Sequence, residues 1–182
     1  MYCPSSFAQA EMRLMHALVA DHPLAMLVTH DGGVPDADHL PFVLAPEDGV
    51  LRAHVARGNP VWRRAGQQVL AVFRGPSGYA TPDRIEKADN GGRVVPTWTY
   101  HVVHVHGRLR AIDDAAWLRA LVERQTARQE ASQPDPWSVD DAPPDYTAKL
   151  LAAIVGIEIA IDRIEGKWKT EPPPRTAAAR RA

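Results

Sequence analysis

With 182 residues, 45% of them hydrophobic, the chain holds enough apolar material for one domain with its own core. Its 21 Lys and Arg against 22 Asp and Glu leave a net charge of −1, which argues against the strongly basic face of an extended nucleic-acid groove but leaves room for a local basic patch. A single cysteine, Cys3, excludes an internal disulfide framework and a thiolate zinc site, and no apolar run approaches the ~20 residues that span a bilayer, so a soluble, cytoplasmic protein is expected.

Ser5 and Ser6 suit the cap of a first helix over residues 7–20, with Phe7, Leu14, Met15, Leu18 and Val19 on its apolar side. Asp21-His22-Pro23 stops it, and the period then changes to that of strands. Leu24 to Thr29 is a short apolar strand closed by Asp31-Gly32-Gly33, a hairpin signal. His39 to Leu44 reads as the second strand and Val50 to Val55 as the third, with Glu47-Asp48-Gly49 turning between them. Gly58-Asn59-Pro60 ends the third, and Pro60 opens a short helix to Arg64. Gln68 to Phe73 is a fourth strand, stopped by Gly75-Pro76. Residues 77–93, polar and finishing in Asn90-Gly91-Gly92, read as a long exposed loop.

Thr97 to Ile112 forms a long strand. Val103, Val105, Leu109 and Ala111 share one face; Val102, His104, His106, Arg108 and Arg110 share the other, and Gly107 marks a bulge or a close approach. Asp113 or Asp114 caps a helix to about Glu130. A Pro/Asp-rich connector and a short helix from Pro144 to Ala153 lead to a last strand, where Val155, Ile157, Ile159 and Ile161 alternate with Gly156, Glu158, Ala160 and Asp162. The organisation is one domain over 1–169 with a helical insertion around 113–153, then a Pro/Arg/Ala tail over 170–182 whose composition predicts disorder. The fold class is mainly β, a small antiparallel barrel with peripheral helices.

Four clusters carry possible chemistry. His54-Val55-Ala56-Arg57-Gly58-Asn59-Pro60 sets an arginine fork, an amide and a small residue where a strand passes into a helix, the donor set a phosphate needs. The same residues also describe a surface arginine beside an Asn-Pro turn, which contributes little to stability. In Asp38-His39-Leu40-Pro41-Phe42 the proline belongs at an edge or bulge, and such an edge can border a flat ring or simply close a barrel rim. Trp98, Tyr100, His101, His104 and His106 share one strand. The i, i+2 spacing of His104 and His106 fits one ion, but His101 points away and no carboxylate joins them, so packing at a subunit interface fits better than a metal. Finally, Lys167 and Lys169 flank Trp168 at the end of the last strand, either a solvated terminus or a positive edge for an anion.

Taken in order, these pieces resemble the PaiB family, FMN-binding negative transcriptional regulators. The likeness runs from Met1-Tyr2 and Pro4…Phe7 through His39-Leu40-Pro41-Phe42, His54-Val55-Ala56-Arg57…Asn59-Pro60…Trp62 and Ala71-Val72-Phe73…Gly75-Pro76…Tyr79. It continues in Val95-Pro96-Thr97-Trp98…Tyr100…Val103-His104 and closes on Ala153-Ile154-Val155-Gly156 and Ile164-Glu165-Gly166-Lys167-Trp168-Lys169. The resemblance implies an FMN-binding split β-barrel, a homodimer with flavin at the interface, and DNA as a possible partner. It implies that Asp38, His39, Leu40 and Pro41 border the isoalloxazine, that His54, Arg57 and Asn59 hold the phosphate with Ala56 also at the cofactor site, and that Trp98, Tyr100, Lys167 and Lys169 reach over from the partner subunit. The chain departs from the family at Tyr79-Ala80-Thr81-Pro82-Asp83-Arg84, at Gly58 and after Lys169. A flavin-dependent oxidoreductase or flavin reductase is the alternative, and a heme-binding relative a third, although no strand–GxGxxG–helix unit offers a nicotinamide site.

Overall fold

The structure is a computed structural model that describes residues 1–170; the remainder of the predicted tail, 171–182, lies outside the described residues. Eight antiparallel strands form one sheet in the order β3-β2-β6-β7-β8-β5-β4, with the short β1 added to β8. The strands are β1 (Ala8–Gln9), β2 (Leu24–Asp31), β3 (Val34–Pro41), β4 (Val43–Ala45), β5 (Val50–Ala56), β6 (Gln68–Ala80), β7 (Thr97–Ile112) and β8 (Ile154–Lys169). The helices are α1 (Met12–Asp21), α2 (Arg84–Asp89), α3 (Ala115–Glu130) and α4 (Pro144–Ala152), with 3-10 turns at Ser5–Phe7, Pro60–Arg64 and Val139–Asp141.

Alternating side chains build the interior. Ala25 and Leu27 of β2, Ala71 and Phe73 of β6, Val103, Val105 and Leu109 of β7, and Val155, Ile157 and Ile159 of β8 form one buried cluster, which Met15, Leu18 and Val19 of α1 plug. The β2–β3 hairpin turns on Gly32 and Gly33, both at positive φ (56° and 90°), as a two-residue loop matching the strand twist requires. Gly107 marks a real close approach: a Cβ there would stand 2.1 Å from the Ala160 carbonyl oxygen. Opposite it the β7–β8 register shifts between His106 and Gly107, with Asp162 as the extra residue. Residues 155–159 of β8 are buried without a break. Their outer face is covered too, by Trp117 of α3 against Gly156 and by Arg52 and Arg110 paired with the buried Glu158.

Three sequence expectations are corrected. The first helix starts at Met12, not Phe7, because Ala8 and Gln9 are drawn into the sheet opposite Lys167 and Gly166. The second strand begins earlier, at Val34, and is interrupted at Phe42, whose N–H donates to Pro23 O at 2.9 Å before β4 turns to pair with β5. The expected loop over 77–93 is partly regular: β6 resumes after an irregularity at Gly75-Pro76 and runs to Ala80 beside β7, and α2 follows. A hairpin partner supplied by β7 outweighs the local Gly-Pro break. Pro41 and Pro35 lie in β3, the terminal strand of the sheet order, where a missing N–H interrupts no ladder on the open side.

Candidate functional site

The residues singled out by the sequence fall into two groups. The first gathers where the ends of β3 and β5 meet. Asn59, capping the 3-10 turn, accepts from Val61 N–H (2.9 Å) through Oδ1 and donates from Nδ2 to Asp38 (2.6 Å), tying the two strands together. Ala56 O accepts from Asn59 N–H at 2.8 Å, and Arg57 O accepts from the Trp62 indole at 3.1 Å, which fixes the loop between them. Leu40 is buried in the core, His39 is exposed opposite Met26, and Pro41 pairs with Leu24 at the rim.

Arg57 is the most constrained of the group. Its Nη1 and Nη2 grip both Asp113 carboxylate oxygens at 2.8 and 2.6 Å, Nε donates to Ala152 O (3.0 Å) and Nη2 also to Ile154 O (3.0 Å). The guanidinium holds the Asp113 carboxyl below the usual carboxylate range, and the carboxylate in turn raises Arg57. The arginine therefore laces β5 to the β7–α3 and α4–β8 junctions, a structural part that a lone surface arginine does not have.

His54, on β5, packs beneath α3. Burial pushes its imidazole below the ordinary histidine range, opposed by a hydrogen bond with Gln125, and its Nδ1 is enclosed with no hydrogen-bond partner among the described residues. Gln125 also donates to Pro41 O at 3.0 Å, so one amide from the helical insertion links His54 to the β3 rim. Neither Gln125 nor Asp113 stood out in the sequence as part of the site. Gln125 lies on an unremarkable polar stripe. Asp113 left a signal in the Asp113-Asp114 doublet, since Asp114 alone caps α3 (2.7 Å to Trp117 N–H) and one carboxylate is spare.

The second group lies at the opposite end of β7 and β8. Trp98 is 56% exposed and meets the 59% exposed Tyr79 edge-on across β6 and β7, ring centres 5.6 Å apart. Lys169 pairs with Tyr100 in register and donates to Thr97 Oγ1 at 2.6 Å. Lys167, by contrast, is buried: its amine donates to Tyr2 O (3.1 Å) and lies 5.4 Å from the Tyr100 ring and 5.7 Å from that of Tyr2. Tyr100 rests on this buried cation.

The histidines of β7 do not assemble a metal centre: among the described residues no three His, Cys, Asp or Glu side chains converge for one. His101 stacks on Trp168 at 4.9 Å, and His106 Nε2 lies 3.3 Å from Glu165 Oε2 but off the hydrogen-bonding direction. Burial lowers His104, with further contributions from the N-terminal amine and His106, and burial also lowers His101.

The donor chemistry at the first corner fits a phosphate-bearing group. Arg57 retains one unpartnered Nη1 hydrogen and Asn59 one Nδ2 hydrogen among the described residues, and His54 on the preceding strand has an enclosed Nδ1 with no partner there. No helix is long and apolar enough to cross a membrane among those residues.

Comparison with known proteins bears on this geometry. An uncharacterized protein of Emericella nidulans is 32% identical over 93% of this chain and 83% of its own. The protease synthase and sporulation protein PAI 2 of Bacillus subtilis is 28% identical over 93% and 81%. Among solved structures, a flavocytochrome of Azotobacter vinelandii superposes with TM-score 0.71 at 17% identity, covering 92% of this chain and 71% of that one. The FAD and heme binding protein of Mycobacterium smegmatis gives 0.69 at 20% identity over 94% and 77%. These last two establish the split-barrel fold. The family model described as "Putative FMN-binding domain" matches residues 1–163, and the chain therefore belongs to the PaiB family of FMN-binding proteins.

Proposed function

We propose that the chain is a regulatory flavoprotein of the PaiB type that holds FMN at a site shared between two copies of itself. The observation that carries this reading is the separation of the two residue groups along one strand. Arg57 is joined to Asp113, just past the last residue of β7, whereas Trp98 is the second residue of that strand. At ~3.3 Å per residue about 50 Å of strand contour separates them, so a mononucleotide meets both ends only if one comes from a second copy. Outward-facing apolar residues on the same sheet support that arrangement: Met26 opposite Val72 and Val28 opposite Leu70 lie on the face away from the core. A shallow cleft of about 320 Å³ lies there, bordered by Val28, His30, Pro35, Leu70 and His106.

In this reading Arg57, Asn59, His54 and the Ala56 backbone hold the phosphate, and Asp38 to Pro41 border the ring. Trp98, Tyr100 and Lys169 close over it from the second copy, with Lys167 setting the Tyr100 ring from beneath. The flavin, when bound, would supply hydride and one-electron chemistry, and the protein orients it. The regulatory role follows from kinship with PaiB. The net charge of −1 offers no strongly basic footprint for direct DNA contact, which rests on that kinship alone.

Purified protein titrated with FMN and followed by its visible spectrum and by light scattering tests the proposal. Flavin bands on a particle of dimer mass are expected. A monomer that takes up FMN at full affinity would sink the shared site, and a Soret band in place of flavin would indicate heme. NADH or NADPH consumption by the loaded protein would turn the reading toward an oxidoreductase.

A further inference from the structure

An anion-binding arginine normally presents its fork to solvent or to its ligand, because the planar pair of N–H groups is what a phosphate or carboxylate engages. Arg57 presents its fork to Asp113. Four hydrogen bonds occupy it: two to the Asp113 carboxylate, one each to the carbonyls of Ala152 and Ile154. The two carbonyl contacts fix the side chain's orientation against the α4–β8 junction. The carboxylate contacts take the bidentate edge itself. Asn59 shows a parallel arrangement, its Nδ2 engaged by the carboxylate of Asp38 at 2.6 Å. The two donors best suited to a phosphate are thus each engaged by a carboxylate of the chain.

The two carboxylates are not equivalent. Asp38 sits within β3 and is half-buried, so its contact with Asn59 belongs to the closure of the barrel. Asp113 is on the short link between β7 and α3, its side chain 64% exposed, and it caps nothing, since Asp114 is the N-cap of α3. An exposed carboxylate on a link has room to swing away without breaking the sheet or the helix cap.

We infer that Asp113 is an internal anion that competes with the ligand's phosphate for the Arg57 fork and so sets the affinity and phosphate selectivity of the site. This rests on the reading of Arg57 as a phosphate ligand. In the unliganded protein Asp113 stands in for the phosphate: a planar carboxylate presents two oxygens to the fork much as two phosphate oxygens would. Binding then exchanges one charge-assisted pair for another, and only the surplus appears as affinity. Riboflavin, which lacks the phosphate, has no reason to displace Asp113 and is indifferent to it. Asp113 is a specificity-determining residue in this scheme, acting through Arg57.

FMN and riboflavin titrations of four full-length proteins test it: wild type, Asp113→Asn, Arg57→Ala and the double variant, with Asp113→Ser as a second way to remove the charge and thermal melts to confirm folding. Asp113→Asn is expected to tighten FMN about three- to fivefold, the scale of releasing a half-exposed ion pair, and to leave riboflavin unchanged. In the Arg57→Ala background the same change should have no effect on FMN, because the competition needs the fork. If Asp113→Asn and Asp113→Ser both weaken FMN or leave it unaltered while Arg57→Ala weakens FMN selectively, Arg57 remains the phosphate ligand and the competing role of Asp113 is overturned. If Arg57→Ala costs FMN and riboflavin alike, the phosphate assignment fails and this inference fails with it.

Discussion

At the corner where β3 meets β5 the polar groups are closed upon partners within the chain: Asn59 on Asp38, Arg57 on Asp113, Gln125 on Pro41. At the far end of β7 the aromatic groups stand open, with Trp98 and Tyr79 more than half exposed and Tyr100 resting on a lysine that the chain has buried. Charged donors are costly to leave unpaired, so a corner of this kind assembles its geometry before any ligand arrives. Exposed aromatic surface costs less to keep in one molecule and gains most when a second surface covers it. If the site is shared between two copies as proposed, the difference teaches that it is prepared unevenly, with recognition built into one fold and closure left to association.

The largest effect should come from the point that separates the two regions. Gly107→Ala places a Cβ 2.1 Å from the Ala160 carbonyl, where backbone rather than a flexible side chain must move, so a loss of about 3 kcal/mol or more of stability is expected in denaturant unfolding. A melt unchanged from wild type would mean that the bulge opposite Gly107 gives way easily and does not hold the two regions apart.

At the open end, Trp98→Glu should weaken self-association about thirtyfold or more, as expected for a buried aromatic anchor, while leaving the fold intact by circular dichroism. Analytical ultracentrifugation over a dilution series reads this directly. An unshifted dissociation constant would place closure elsewhere, for example on the outer face around Met26 and Val72.

At the closed corner, Arg57→Ala should weaken FMN binding about tenfold or more and, unlike an unattached surface arginine, should also lower the melting temperature, because it strips partners from Asp113 and two junction carbonyls. Isothermal titration and thermal melts on the same preparation separate the two losses. Unaltered thermal stability would show that the lacing is incidental.

The smallest effect concerns pH. Burial lowers His54, so the folded state prefers its neutral form and the unfolded state binds the extra proton first as pH falls. Stability is then fully present above the unfolded value of about 6.5 and declines below it. His101 and His104 act in the same direction. His54→Asn should flatten part of the decline in urea-unfolding free energy on the acid side. A slope identical to wild type would remove His54 from the account.

Much of the barrel was legible from local pattern. β7 was bounded by the alternation of Val103, Val105 and Leu109 against His104 and His106, and Pro41 announced the sheet edge through its missing N–H. The N-terminal segment was not legible, because Ala8 and Gln9 take strand geometry only from pairing with Lys167 and Gly166, some 160 residues away in sequence. The extension of β6 past Gly75-Pro76 likewise depends on β7. At the candidate site the residue types were readable but not their engagement. Nothing in His54-Val55-Ala56-Arg57 tells that the arginine reaches Asp113, or that Gln125 bridges His54 to Pro41, since those partners come from the helical insertion.

The shared site is tested most directly with mixed dimers. Differently tagged Arg57→Ala and Lys169→Ala chains, each confirmed to bind FMN weakly as its own homodimer, are co-expressed and the heterodimer is isolated by tandem affinity. A site built from the corner of one copy and the open end of the other leaves one site with both defects and one with neither. The heterodimer should therefore bind one FMN per dimer with wild-type affinity. If every site lies within a single copy, each carries one defect, and a heterodimer that binds FMN no better than either homodimer would contradict the account.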